Sequence, residues 1–122
     1  MSGIYTDKIL EHYHVPRNYG LTEDFDLEGR GENPVCGDLI TIRLKKNGKK
    51  VSRVSFEGEG CAISRASASI LSEYVKGKTK KEIKLICPLT LPDILEIELS
   101  PARLKCAFLP LEIIQKILEN KR

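Results

Sequence analysis

A chain of 122 residues is long enough to bury a core without covalent staples, and 41% hydrophobic with 30% charged residues excludes disordered and fibrous classes. A net charge of +3 spread over mixed signs gives no reason to expect nucleic acid as a partner, and Lys45-Lys46-Asn47-Gly48-Lys49-Lys50 and Lys78-Thr79-Lys80-Lys81 read as solvated turns. No apolar run reaches membrane-spanning length and no signal-peptide core opens the chain, so the expectation is a soluble cytoplasmic protein with one domain over residues 1–122.

Tyr5, Ile9 and Tyr13 recur at helical spacing, which predicts a helix from Ile4 to Val15, ended by Pro16 and followed by a turn to Gly20. His12 and His14 point to different faces of such a helix, so they do not share a metal and are expected at surface or partner-facing positions. Phe25 and Leu27 alternate within an acidic stretch, which suggests a short edge strand between Leu21 and Arg30. Gly29, Gly31, Asn33 and Pro34 then read as a loop delivering Cys36-Gly37-Asp38. Ile40, Ile42 and Leu44 alternate with polar residues as a half-buried strand does, Asn47-Gly48 is a two-residue hairpin signal, and the return strand runs from about Val51 to Glu57. That hairpin pairs Cys36 with Glu59, or a neighbour of it if a bulge intervenes, and gathers Cys36, Asp38 and Cys61 at the end away from the turn.

The return strand reaches Gly58-Glu59-Gly60-Cys61 and turns into an Ala/Ser-rich helix from Ala62 to Lys76. Cys61 is thereby placed in a first helical turn, where unpaired N–H groups and the positive dipole end favour thiolate over thiol. Ile63, Ala66, Ile70, Leu71 and Tyr74 form the apolar stripe, Gly77 is the stop, and the small residues between them suggest close packing on another element. Thr79-Lys80-Lys81-Glu82 is a capping box for a helix that ends at Cys87, because Pro88 cannot continue it; Cys87 reads as a buried or half-buried structural thiol. A short helix is expected within Leu91 to Leu99. Ser100-Pro101 caps the next, which carries Arg103, Lys105 and Cys106, with a kink or restart at Pro110 and a buried face of Leu111, Ile114, Ile117 and Leu118.

Four cysteines without a secretion signal point to metal or sulfur chemistry rather than two disulfides. Cys36, Asp38, Cys61 and Cys106 form the candidate set; three thiolates and a carboxylate suit zinc, or iron with bridging sulfide.

The chain resembles the IscU/NifU-type iron–sulfur cluster assembly proteins, including the SufU branch, over nearly its whole length. The resemblance is carried by Ile9-Leu10-Glu11-His12-Tyr13 with Pro16-Arg17-Asn18 and Gly20, by Asn33-Pro34-Val35-Cys36-Gly37-Asp38, by Gly58 to Ser69, and by Ala102-Arg103-Leu104-Lys105-Cys106-Ala107. It implies an α+β fold with a small antiparallel sheet of about three strands packed against several helices. It also implies that Cys36, Asp38, Cys61 and Cys106 occupy the family's metal or cluster site, with [2Fe–2S] or Zn²⁺ as the bound species. The implied partners are a cysteine desulfurase of the IscS/SufS kind and iron–sulfur acceptor or carrier proteins, with a homo-oligomer as a further possibility.

Two departures bear on the branch. Scaffold-type members carry histidine before the last cysteine, where this chain has Lys105, and their Leu-Pro-Pro-Val-Lys chaperone motif is replaced by Leu99-Ser100-Pro101-Ala102-Arg103, which argues against a dedicated Hsp70-type chaperone. These features and Cys61-Ala62-Ile63-Ser64 resemble SufU, whereas the interval from Cys61 to Cys106 is of the scaffold type. The leading expectation is a non-enzymatic scaffold that accepts sulfur at Cys36, Cys61 or Cys106, with Lys105 and Arg103 as nearby charge partners. The alternatives are a zinc-dependent sulfur-transfer protein that stimulates the desulfurase, and a structural zinc-binding interaction module.

Overall fold

A computed structural model of the chain describes residues 7–34, 37–87 and 89–119. The order is α1 (Asp7–His14), β1 (Leu27–Asn33), β2 (Asp38–Asn47), β3 (Lys50–Glu59), α2 (Ala62–Tyr74), α3 (Lys80–Lys84), α4 (Leu91–Leu95) and α5 (Pro101–Glu119). The strands form one antiparallel sheet in the order β1-β2-β3, as the expected α+β architecture requires. Ile40, Ile42 and Leu44 of β2 and Val54 and Phe56 of β3 project from one face and are buried with Ile63, Ala66 and Leu71 of α2 and Leu111 and Ile114 of α5. α1 packs against α2, with Ile9 buried in the same core.

The hairpin differs from the expected register. Asn47 pairs with Lys50, so Gly48 and Lys49 make the turn, and Gly48 takes a left-handed φ of 67° that glycine adopts without strain. A bulge at Lys45/Lys46 shifts the pairing further, so Leu39, not Cys36, lies opposite Glu59. Cys36 itself is outside the described residues.

β1 starts and ends later than the expected edge strand, and Gly29, Gly31 and Asn33 belong to it rather than to a loop. The reason is close approach. A Cβ on Gly29 would stand 2.5 Å from Ile117 Cγ1, and one on Gly31 2.8 Å from Ile113 Cγ1, so only bare backbone lets α5 come down onto the strand.

Other expectations are corrected locally. His12 is buried, not at the surface: its Nδ1 lies 2.7 Å from Ser69 Oγ, which also accepts the Arg17 N–H at 2.8 Å. Tyr74 leaves the buried stripe for solvent, with the Lys78 ammonium 4.5 Å from its ring centroid; Val75 is the residue that fills the core. The capping box at Thr79 and Glu82 forms as expected, but α3 ends at Lys84, and Cys87 lies exposed in a turn where Thr90 N–H and Oγ1–H both donate to its carbonyl. α4 stops at Leu95 because Glu96 turns left-handed at φ 62°. α5 runs through Pro110 as one element: although proline offers no N–H to Cys106 O, buried Leu109, Leu111, Ile113 and Ile114 hold both halves against the core. Its start is as expected, with Arg103 N–H donating to Ser100 Oγ at 3.4 Å. No helix among the described residues is long and apolar enough to cross a membrane.

Candidate metal centre

Where β2 begins, β3 ends and α5 passes, three of the four candidate residues meet. One carboxylate oxygen of Asp38 and the sulfurs of Cys61 and Cys106 all lie within 4.8 Å of one another. Asp38 arrives as the first residue of β2, on the inward face that continues through Ile40, Ile42 and Leu44. Cys61 is the N-cap of α2, with an extended backbone (φ −73°, ψ 167°) and no side-chain cap, so its sulfur is left for other contacts. Cys106 comes from the second turn of α5.

Asp38 is 2% exposed. Its Oδ1 accepts the Cys61 backbone N–H at 2.8 Å, which satisfies one donor at the helix start. Its Oδ2 is buried and has no hydrogen-bond partner among the described residues. A buried carboxylate oxygen left bare is costly unless a cation or donor meets it. The two thiols are the nearest candidates to share such a cation. In tetrahedral zinc the ligand sulfurs stand about 3.8 Å apart, so small side-chain rotations would bring this set to coordination distance. The donor set therefore fits zinc, or iron of a cluster, with an oxygen ligand that exchanges more readily than thiolate.

The surroundings are polar in ways the sequence reading missed. Asn33 Nδ2 donates to Cys106 Sγ at 3.8 Å, and Cys61 Sγ lies 3.8 Å from Ser64 Oγ. Ser67 Oγ donates to Ala107 O at 2.6 Å, fastening α2 to α5 one residue past Cys106. Gly60 leaves room for the carboxylate, since a Cβ there would be 2.5 Å from Asp38 Oδ1 and 2.7 Å from Ser64 Oγ. The run of small residues after Cys61 was the available signal: Ser64, Ser67, Ser69 and Ser72 are all fully buried.

The remaining sequence candidates lie around this cluster. Arg103 is half-buried and one turn before Cys106, on its face of α5; Lys105 is exposed, and adjacent helical positions do not face one way. Cys87 is not part of the cluster, and backbone N–H groups of Thr90 and Leu89 hold its thiol below the ordinary cysteine value. Burial, then the Arg17 charge, holds His12 below the ordinary histidine value.

A family model described as the NifU-like N terminal domain matches residues 4–120. The iron-sulfur cluster assembly scaffold protein IscU 1 of Archaeoglobus fulgidus is 43% identical over 79 residues, 65% of this chain and 52% of that protein, so the aligned part spans about half the length of that relative. The zinc-dependent sulfurtransferase SufU of Bacillus subtilis is 35% identical over 131 aligned positions, covering 93% of this chain and 88% of the relative. Among solved structures, a candidate iron-sulfur cluster assembly scaffold protein for the SUF system from Fervidobacterium islandicum superposes with a TM-score of 0.81 at 30% identity, covering 94% of this chain and 96% of that one. The chain belongs to the NifU-like N-terminal domain family, whose members include proteins named as IscU scaffolds and as SufU.

Proposed function

We propose that the chain is an iron–sulfur cluster assembly scaffold: it accepts sulfur from a cysteine desulfurase and builds a transferable cluster on Cys36, Asp38, Cys61 and Cys106. The observation that carries the reading is the buried Oδ2 of Asp38, without a hydrogen-bond partner among the described residues and grouped with two cysteine sulfurs. The half-buried Cys61 is the accessible sulfur acceptor of the described pair, and the fully buried Cys106 is the holding ligand. In the transfer step a Cys61 thiolate attacks the outer sulfur of the donor persulfide. The donor's S–S bond breaks, its cysteine leaves as thiolate, and Cys61 carries the persulfide. Two electrons from an external reductant, such as a dithiol or a reduced electron-transfer protein, then cleave the Cys61 persulfide to sulfide and regenerate the Cys61 thiolate. Cargo iron and that sulfide would be held by thiolates and the Asp38 carboxylate, whose weaker hold favours onward transfer over storage.

A second reading, zinc-dependent sulfur transfer, is favoured by the near full-length match to the Bacillus SufU and by the exposed Lys105 before Cys106. There the same residues hold zinc, and the product is a carried persulfide.

Anaerobic reconstitution with iron, cysteine and a desulfurase separates the two. The scaffold reading expects a visible-absorbing cluster that Cys36→Ala, Cys61→Ala and Cys106→Ala each lose; retention of the cluster in all three variants refutes it. Strong stimulation of desulfurase turnover by zinc-loaded protein, with no stable cluster, selects the second reading.

A further inference from the structure

The outer face of the sheet, opposite the helices, is covered at one end and open at the other. Towards the hairpin turn, the segment before β1 folds over it. Arg43 lies 4.3 Å from the Phe25 ring centroid and donates to Thr22 O at 2.9 Å, Lys45 pairs with Asp24 at 2.9 Å, and Thr22 N–H donates to Ser55 Oγ at 3.2 Å. At the end beside Asp38 and Cys61 nothing covers the face among the described residues. Tyr19, Leu39, Thr41, Glu57, Gly58 and Glu59 line a groove there of about 380 Å³.

Two properties of this groove define what fits it. Its apolar part is prearranged. Tyr19 packs edge-on against Phe56 with centroids 5.3 Å apart, lies 5.4 Å from the Arg65 guanidinium, and donates its hydroxyl to Gly58 O at 3.4 Å, yet keeps 43% of its surface exposed. Leu39, 40% exposed, projects from the open face, and Tyr19 borders the groove from beside β3. A rigid aromatic beside an aliphatic side chain is the composition of an interface anchor, because little rotamer freedom is lost on binding. Its charge is one-sided. Glu57 and Glu59 point to this face, opposite Thr41 and Leu39, and enter none of the ion pairs among the described residues.

We propose that this groove docks the segment of the sulfur donor that brings the persulfide to Cys61, and that the segment carries a lysine or arginine next to an aliphatic side chain. The proposal rests on the sulfur-accepting reading above and adds the chemistry of the partner. The aliphatic group packs on Tyr19 and Leu39, and the cation meets Glu57 and Glu59. Leu39 adjoins Asp38, and Glu59 is separated from Cys61 only by Gly60, so a segment seated here is held at the rim of the cluster. Opposite charges at an exposed rim act mainly by steering encounter and fixing register, which makes the association salt-dependent.

The test is calorimetric titration of the full chain with the desulfurase used for reconstitution, at low and high salt. It compares wild type with Glu57→Lys/Glu59→Lys and with Leu39→Ser, all changes at exposed positions outside the metal cluster. Each variant is expected to raise Kd about tenfold or more, with zinc content and melting temperature unchanged, and the charge-reversal variant loses the salt dependence seen in wild type. Wild-type affinity in both variants overturns the docking assignment and leaves the sulfur-accepting reading intact. Wild-type binding without any sulfur transfer, with both variants weakened, overturns that reading and leaves the docking surface standing. Absence of binding by the wild-type chain overturns the docking surface.

Discussion

Asp38 and Cys61 are joined twice: Oδ1 of Asp38 holds the Cys61 backbone N–H at 2.8 Å, and a carboxylate oxygen lies within 4.8 Å of the Cys61 sulfur. One side chain thus starts the helix and offers a candidate ligand atom. The two jobs separate by substitution. Asp38→Asn keeps an acceptor for the N–H but replaces the other oxygen with an amide, so the chain folds while zinc affinity, measured by competition with a chromophoric chelator, falls by about 100-fold or more. Asp38→Ala removes the acceptor as well and costs about 1–3 kcal/mol of stability in denaturant unfolding. Gly60→Ala, whose new methyl meets Asp38 Oδ1 at 2.5 Å, displaces the carboxylate and weakens zinc binding without touching a ligand.

The bond from Ser67 to Ala107 O ties the two helices that carry Cys61 and Cys106. Ser67→Ala removes this additional bond while the carbonyl keeps its helical partner, the Leu111 N–H, and is expected to cost about 0.5–1.5 kcal/mol in chemical unfolding. Zinc affinity drops in parallel, because the tie fixes the spacing of the two sulfurs. A loss of stability with unchanged zinc affinity would show that the helices keep their spacing without it.

Cys87 is exposed, with a thiol held low by backbone N–H groups, and reacts as thiolate more readily than an ordinary cysteine. Iodoacetamide added to the zinc-loaded chain near neutral pH should label Cys87 first in peptide mass spectrometry. Cys87→Ser should leave zinc content unchanged.

His12, 8% exposed, is held below its ordinary value by burial and by Arg17. The folded state therefore takes up its proton at lower pH than the unfolded chain does. The stability tied to neutral His12 is complete above the ordinary histidine value of about 6.5 and is lost as pH falls below it and through the folded pKa. Melting temperature should drop more steeply between neutral and mildly acidic pH for wild type than for His12→Gln.

Features governed by a few neighbouring residues were legible in the sequence. The helix start at Cys61, the Thr79/Glu82 capping box and the Ser100-Pro101 entry to α5 each depend on local hydrogen bonding and fixed φ, and each stands where expected. The meeting of Asp38 and Cys61 was legible even though the register was not, because sliding one arm of a hairpin leaves both residues at its open end. Tertiary contacts decided the rest. The glycine-bearing part of β1 reads as a loop until Ile113 and Ile117 are laid over Gly29 and Gly31, although a short edge strand is expected up to Arg30. His12 reads as a surface residue until Ser69, far along the chain, arrives beneath it. Cys87 reads as core until the turn closed by Thr90 carries it outward.

The bare backbone at Gly29 and Gly31 reaches beyond the strand that contains it. At those two points α5 rests on β1 through Ile117 and Ile113 with no side chain from the strand between them, and the same helix carries Cys106 near its other end. A methyl group at either glycine would act as a wedge under a lever, tilting the helix and drawing its sulfur away from Asp38 and Cys61. The span across the cluster is therefore gauged by atoms that are missing from a strand beside it, and two residues with no side chain at all help set the bite of the site.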